Sequence, residues 1–248
     1  MEGGVHSLQS LGTVDGPGLR YVVFLQGCPL RCVYCHNPDT WDPAGGTVMG
    51  TEELVEKILR CRPYFGAEGG VTVSGGEPLL QAEFVTQLFA RLKRKGVHTA
   101  LDTSGAGDLG KAPALLAVTD LVLLDLKFPT EEGYRQYCRG SLGQTEAFAA
   151  LVAEKQVPLW VRHVVAPGLN DTLEDMVAVK RWAERQPTLE KIEWLPFHNL
   201  CLEKYQQLGV PFPLADTPPM EAALCDQLQQ TWFSQWNTRF NTKKGDAV

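Results

Sequence analysis

Arg20-Tyr-Val-Val-Phe-Leu-Gln26 runs directly into Gly27-Cys28-Pro29-Leu30-Arg31-Cys32-Val33-Tyr34-Cys35-His36-Asn37, and these eighteen residues decide how the rest of the chain is read. The first seven are β-branched or aromatic for the most part and predict a strand. The remainder carries three of the chain's seven cysteines, spaced C-x3-C-x2-C. Positions i, i+4 and i+7 would share one face of a helix. Gly27 favours a turn and Cys28 precedes Pro29, and a helix face would spread the thiolates along its length, so the segment reads as a loop. Three thiolates can converge on one metal centre but leave a four-ligand site one short. An iron–sulfur cluster that only carries electrons takes four cysteines. Three leave an iron open, and an open position distinguishes a reactive metal centre from a structural one. A zinc site is the alternative, and it would recruit His36 or a distant cysteine.

An active loop at the C-terminal end of a strand is the arrangement of α/β barrels, and the downstream pattern repeats it. Strands are predicted at Val5–Ser10, Gly70–Ser74, Val97–Asp102, Asp120–Leu126, Leu159–Val165 and Lys191–Leu195. Helices are predicted from Thr51, as N-cap, to Arg62, then over Gln81–Lys95, 109–118, Glu131–Tyr137, Thr145–Lys155, Thr172–Arg185 and Met220–Trp236. Thr13–Gly18, the turn-rich 38–50 and Pro211–Pro219 read as loops, and residues 1–4 and 243–248 as loose ends. Alternating strands and helices imply a parallel sheet with outer helices. Six strands from Arg20 onward are too few for a closed eight-stranded barrel. The expectation is an α/β fold, an open partial barrel, in a single domain spanning 1–248.

The chain is 44% hydrophobic with a net charge of −6, which suits a full core and argues against a nucleic-acid partner. No apolar run approaches the roughly 18 residues of a membrane span, and the N-terminus has no signal-peptide pattern. An odd cysteine count without a signal fits a reducing, cytoplasmic compartment. Cys61, Cys138, Cys201 and Cys225 are scattered and read as buried or half-buried thiols.

The cysteine spacing, with an aromatic residue before the last cysteine, resembles the signature of the radical S-adenosylmethionine (radical SAM) superfamily. Tyr34 to Trp41 (YCHNPDTW), Gly12 to Arg20 (GTVDGPGLR) and the later SGGEP, LDTSG and LDLK strings are similar, in the same order, to the glycyl-radical-enzyme activating enzymes, above all those acting on pyruvate formate-lyase. The resemblance spans about Val5 to Phe240. It implies a (β/α)6 partial barrel in which Cys28, Cys32 and Cys35 ligate a [4Fe–4S] cluster, and S-adenosylmethionine chelates the fourth iron. Reductive cleavage would then give methionine and a 5′-deoxyadenosyl radical, which takes a hydrogen atom from a glycine of the partner enzyme. A flavodoxin-like reductant and a monomeric state are implied in the same way. Only 39 residues separate Cys35 from Gly75, and they hold one cysteine, Cys61, so no second cluster fits between them.

For the remaining motifs the resemblance adds a role to a plainer reading. Gly75-Gly76-Glu77 is otherwise a βα turn. Its glycines allow a ligand close to the backbone, and Glu77 can accept from a protonated amine, here that of S-adenosylmethionine. Asp102 and Thr103, with Asp125-Leu126-Lys127, end two further strands and otherwise read as a rim ion pair. By resemblance Asp102, Asp125, Leu126 and Lys127 line the S-adenosylmethionine site, and Asp102, Thr103 and Asp125 supply oxygens to a monovalent cation (Na+ or K+). Arg162 matches a rim arginine. Tyr34, Cys35, His36 and Asn37 border the adenosine, and His198, by itself a surface histidine, meets the adenine. Asp15 and Gly16, in a glycine turn expected next to the cluster loop, would contact the partner's glycine loop. Two other functions stay open: a radical SAM enzyme acting on a small molecule, and a non-catalytic zinc or electron-transfer module.

Overall fold

The computed structural model describes residues 1–227. Its strands are β1 (Glu2–Gly12), β2 (Arg20–Leu25), β3 (Thr47–Gly50), β4 (Gly70–Gly75), β5 (His98–Thr103), β6 (Leu121–Asp125), β7 (Leu159–Val165) and β8 (Leu189–Pro196). Its helices are α1 (Thr51–Arg60), α2 (Ala82–Lys93), α3 (Ala112–Leu116), α4 (Glu131–Gly133), α5 (Leu142–Glu154), α6 (Leu173–Glu184) and α7 (Leu202–Leu208). The strands form one sheet in the order β3-β1-β2-β4-β5-β6-β7-β8. From β2 onward every neighbouring pair is parallel, so the six expected strands are present as an unclosed parallel sheet with helical crossovers.

Alternation along the strands sorts the two faces. Leu101, Val122, Leu124, Val161 and Ile192 belong to the main core under the helices. On α2, Val85, Leu88, Phe89 and Leu92 recur at helical spacing and are fully buried against that face. The opposite face, which lines the lumen, carries Arg20, Thr72, Ser74, Asp102, Asp125, Arg162 and Glu193. Asp125, Arg162 and Glu193 share one register row across β6, β7 and β8. A polar lumen inside an apolar shell is what a polar substrate requires, since buried polar groups need partners.

Several expectations are corrected. Residues 2–4 are not loose: Glu2, Gly3 and Gly4 pair with Gly50, Met49 and Val48 of β3. That strand lies within the stretch read as turns, where four residues carry too short a pattern to register. Thr51 is the first residue of α1 rather than its N-cap. Its N–H donates to Met1 O (3.0 Å), and Gly50 holds the cap position without a side-chain bond. The helix predicted at Glu131–Tyr137 is one turn of α4 followed by a π-helical turn over Tyr134–Cys138, closed by Arg139 at φ 52°. The predicted helix from Met220 begins at residue 222, and its continuation beyond residue 227 lies outside the described residues, as does the 243–248 tail.

Candidate active site

All six parallel strands release their loops at one rim. From β2 the chain enters the cysteine loop, which neighbouring elements hold from several sides. Gly27 N–H donates to Thr40 O (2.7 Å), Arg31 N–H to Cys138 O (2.8 Å), Val33 N–H to Tyr137 O (2.9 Å) and Tyr205 Oη–H to Cys35 O (3.1 Å). The π turn after α4 is therefore one wall of the loop, because the backbone carbonyls of Tyr137 and Cys138 face it. Burial pushes the Cys28 thiol up to about 12, with Glu77 adding to the effect, and pushes Cys35 up to about 11. A hydrogen bond with Cys138 and burial hold Cys32 protonated. Cluster loading must deprotonate all three thiols, which couples it to proton release. Among the described residues no three His, Cys, Asp or Glu side chains are disposed to hold a single metal ion.

Gly75 and Gly76 are needed because β4 leaves the sheet directly across the exit of β2. Gly75 sits at φ 104°. A Cβ on Gly76 would lie 2.1 Å from Gly27 O, one residue from Cys28. Glu77 plays a different part from the one expected. Its carboxylate is 1% exposed and already accepts four bonds: from Leu79 N–H (3.0 Å) and Thr103 Oγ1–H (2.5 Å) on Oε1, and from Ser104 N–H (2.9 Å) and Oγ–H (2.6 Å) on Oε2. It ties the exits of β4 and β5 together and has no oxygen left for an amine. The same bond commits the Thr103 hydroxyl, which also accepts from Gly105 N–H (2.9 Å).

Below this knot lies a charged layer. Arg162 Nη1 is 3.2 Å from Asp102 Oδ2 and its Nε is 3.6 Å from Asp125 Oδ1, while Lys127 Nζ donates to Asp125 Oδ2 (2.7 Å). Burial raises Asp102 to about 7 despite Arg162. Burial also acts to raise Asp125, but Lys127 and Arg162 together hold it below the usual carboxylate range. Asp102 Oδ1, Arg162 Nε and Nη1, and Glu193 Oε2 are buried and have no hydrogen-bond partner. Orphaned polar atoms gathered in one lumen mark where a polar ligand belongs.

The residues expected around the adenosine divide into two groups. His36 and His198 stack at 4.0 Å, with His36 Nε2–H donating to His198 O (2.7 Å), and His198 is exposed at the rim. Asn37 Oδ1 accepts from Lys204 Nζ of α7 (2.8 Å). Tyr34, by contrast, is a core side chain, its hydroxyl donating to Lys127 O (3.1 Å). Leu126 packs in the core, and its N–H and C=O are bonded to Arg162 O and His163 Nδ1–H. Asp15 and Gly16 are not next to the cysteine loop. They precede Arg20, and the five residue steps of β2 put about 17 Å between its two ends. Their loop forms the lumen floor: Thr72 Oγ1–H donates to Asp15 O (2.6 Å), and Gly16 packs by Arg20 and Leu123. The Asp15 carboxyl, raised by burial, senses Arg162, Arg20 and Glu193.

Three participants were missed. Glu193 was detectable, because in Lys191-Ile-Glu-Trp the charged residues alternate with apolar ones and so face the lumen. Arg20 was read as a strand residue, yet its fully buried guanidinium donates to Thr72 Oγ1 (3.0 Å), Val71 O, Pro17 O (3.4 Å) and Glu68 O (3.4 Å). Cys138 carried no spacing signal.

The sequence pattern of the radical SAM superfamily matches residues 22–183, from β2 into α6. This chain belongs to the radical SAM superfamily. As a radical SAM protein it has curated relatives of nearly its own length. It is 44% identical over 220 residues to the pyruvate formate-lyase-activating enzyme of Clostridium pasteurianum, covering 88% of this chain and 92% of that one. It is also 44% identical over 230 residues to the enzyme of the same name from Staphylococcus epidermidis, covering 88% and 90%. Its fold is shared by SuiB of Streptococcus suis, with a TM-score of 0.65 at 10% identity over 86% of this chain and 45% of that one. QueE of Escherichia coli shares it too, with a TM-score of 0.51 at 18% identity over 89% and 94%. Membership in this superfamily implies a [4Fe–4S] cluster and S-adenosylmethionine. The three thiols on one pinned loop, the glycine crossing beside Cys28 and the orphaned lumen atoms fit that pair.

Proposed function

We propose that this chain is an activating enzyme for a glycyl radical enzyme, most directly pyruvate formate-lyase, abstracting a hydrogen atom from one glycine of that partner. The observation that carries the reading is the juxtaposition, at one rim, of a three-cysteine loop with a lumen of unpaired polar groups. When bound, the cluster and S-adenosylmethionine supply the one-electron cleavage of a sulfonium S–C bond that such abstraction needs. The protein's own residues do the rest. Cys28, Cys32 and Cys35 hold the cluster. Gly75 and Gly76 keep the wall beside Cys28 thin, and Glu77 fixes the two strand exits that flank it. Asp102, Asp125, Lys127 and Arg162 form a balanced charged layer suited to an amino-acid moiety, and His36 and His198 form an aromatic edge suited to a base.

Asp102 Oδ1, buried and unpaired, with Asp125 offers oxygens to a monovalent cation. Thr103 is the weakest member of that set, its hydroxyl being committed to Glu77. Asp15 faces the lumen from the floor, so its contact with the partner's glycine loop would come from beneath, with Gly16 contributing backbone. We assign a flavodoxin-like reductant, a monomeric state, a single domain and a cytoplasmic location to the same reading. Among the described residues no helix is long and apolar enough to cross a membrane. The test is to mix the anaerobically reconstituted, reduced protein with S-adenosylmethionine and pyruvate formate-lyase. A glycyl doublet in the electron paramagnetic resonance spectrum is expected. Its absence, with the cluster present and the partner competent toward another activator, would overturn the assignment.

A further inference from the structure

The lumen contains one acidic side chain that none of the roles above uses. Glu193 lies on β8 in register with Arg162 of β7, and the flanking Ile192 and Trp194 point into the main core, so its carboxylate faces inward. Lys191 Nζ donates to Oε1 (2.5 Å), which leaves Oε2 buried and unpartnered. Next to it Arg162 is ion-paired with Asp102 and Asp125, so it does not take up this oxygen. Asp125 and Lys127 act on the Cys32 thiol, and Glu77 on Cys28. Glu193 sits in the same register row as Asp125 and Arg162, and it also acts on Asp15 of the floor loop. It therefore faces the lumen from the last strand of the sheet, beside the charged layer.

An unpaired acceptor in a buried space calls for a donor, and a peptide group brings one in its N–H. We propose that Glu193 is a positioning residue for the partner's glycine loop, accepting a backbone N–H of that segment through Oε2. This rests on the activating-enzyme reading above. It also explains why a carboxylate is kept inside a lumen where Lys191 satisfies one of its two oxygens: the second is reserved for substrate.

The experiment uses reconstituted holoenzyme with pyruvate formate-lyase as the probe, comparing wild type, Glu193→Ala and Glu193→Gln. Glu193→Ala should raise the KM for the partner about 10- to 100-fold, the range of one charge-assisted hydrogen bond, with a smaller change in kcat. Glu193→Gln keeps one carbonyl acceptor but turns its amide N–H₂ toward either Lys191 or the partner N–H, so it should recover only part of the loss. The change in the reduced-cluster resonance on adding S-adenosylmethionine should persist in both variants. A wild-type KM in Glu193→Ala overturns the proposal. So does loss of the S-adenosylmethionine-induced change, which would make Glu193 a cofactor residue. Failure of the wild type itself to generate a glycyl radical counts against the function and not against this residue, so the two failures are distinguishable.

Discussion

Substituting Gly76 by alanine tests whether the second glycine motif exists to let two strand exits cross. The new Cβ would sit 2.1 Å from Gly27 O and 2.7 Å from Gly27 C, both backbone atoms with no rotamer to yield. Relief requires the chain before Cys28 to move by about 1 Å. That movement weakens two bonds at the crossing, Gly76 N–H to Leu25 O (2.9 Å) and Glu77 N–H to Gly27 O (2.8 Å). At about 1 kcal/mol for each bond, plus about 1 kcal/mol of residual strain, the loss is about 3 kcal/mol. For a chain of this size it lowers Tm by about 6–12 °C. A displacement of that order at a reacting centre also costs about 100-fold in rate. The assays are thermal unfolding of the metal-free protein, and iron content with 5′-deoxyadenosine release by the reconstituted one. Gly143→Ala is the control. It lies in the first turn of α5, and its Cβ would meet Ser141 Oγ at 3.4 Å, so a slight rise in Tm is expected. If Gly76→Ala keeps wild-type Tm, iron and turnover, the crossing is not a constraint and the reasoning fails.

Three further outcomes follow from the geometry. Glu77→Gln places an amide N–H₂ against donors whichever way it flips, since both oxygens accept two bonds each, and should cost about 2–3 kcal/mol in urea unfolding. His163 is fully buried, donating from Nδ1 to Leu126 O (2.7 Å), and burial depresses it to about 4. Its unfolded form takes up a proton below about 6.5, so its contribution is present above that pH and lost as pH falls toward 4. Between pH 7 and pH 5 that loss is about 2 kcal/mol. Asp102, raised to about 7, acts in the opposite direction over the same window, so the contribution is read as the difference between the two profiles: on going from pH 7 to pH 5, His163→Gln should gain about 2 kcal/mol relative to wild type. Cys138→Ala should leave iron content unchanged, because Cys138 borders Cys32 without being a ligand, whereas Cys32→Ala should abolish it. Equal iron loss in both variants would make Cys138 part of the cluster's ligand set.

Much of this architecture was legible because it rests on short-range chemistry. Arg20–Gln26 and Asp120–Leu126 are apolar runs bounded by turn residues, and a parallel strand buried on its core side leaves that trace. The cysteine triplet needed only its spacing. What escaped depends on distant partners. Glu77 reads as a free carboxylate until β5 supplies Thr103 and Ser104. The loop with Asp15 is close to Cys28 in sequence, but an intervening strand carries the two to opposite ends of the barrel. β3 is too short for periodicity, and it forms because β1 starts at residue 2 and offers an edge. The π turn at Tyr134–Cys138, which walls the cysteine loop, differs from an α-helix by one residue per turn, and no pattern of side chains announced it.

The central claim is that Cys28, Cys32 and Cys35 hold a four-iron cluster with one position left for S-adenosylmethionine. Its most direct test is iron, acid-labile sulfide and zinc analysis of protein reconstituted without oxygen, followed by reduction with dithionite in the presence of S-adenosylmethionine. The account predicts about four irons and four sulfides per chain, with release of 5′-deoxyadenosine and methionine. One zinc per chain and intact S-adenosylmethionine would contradict it.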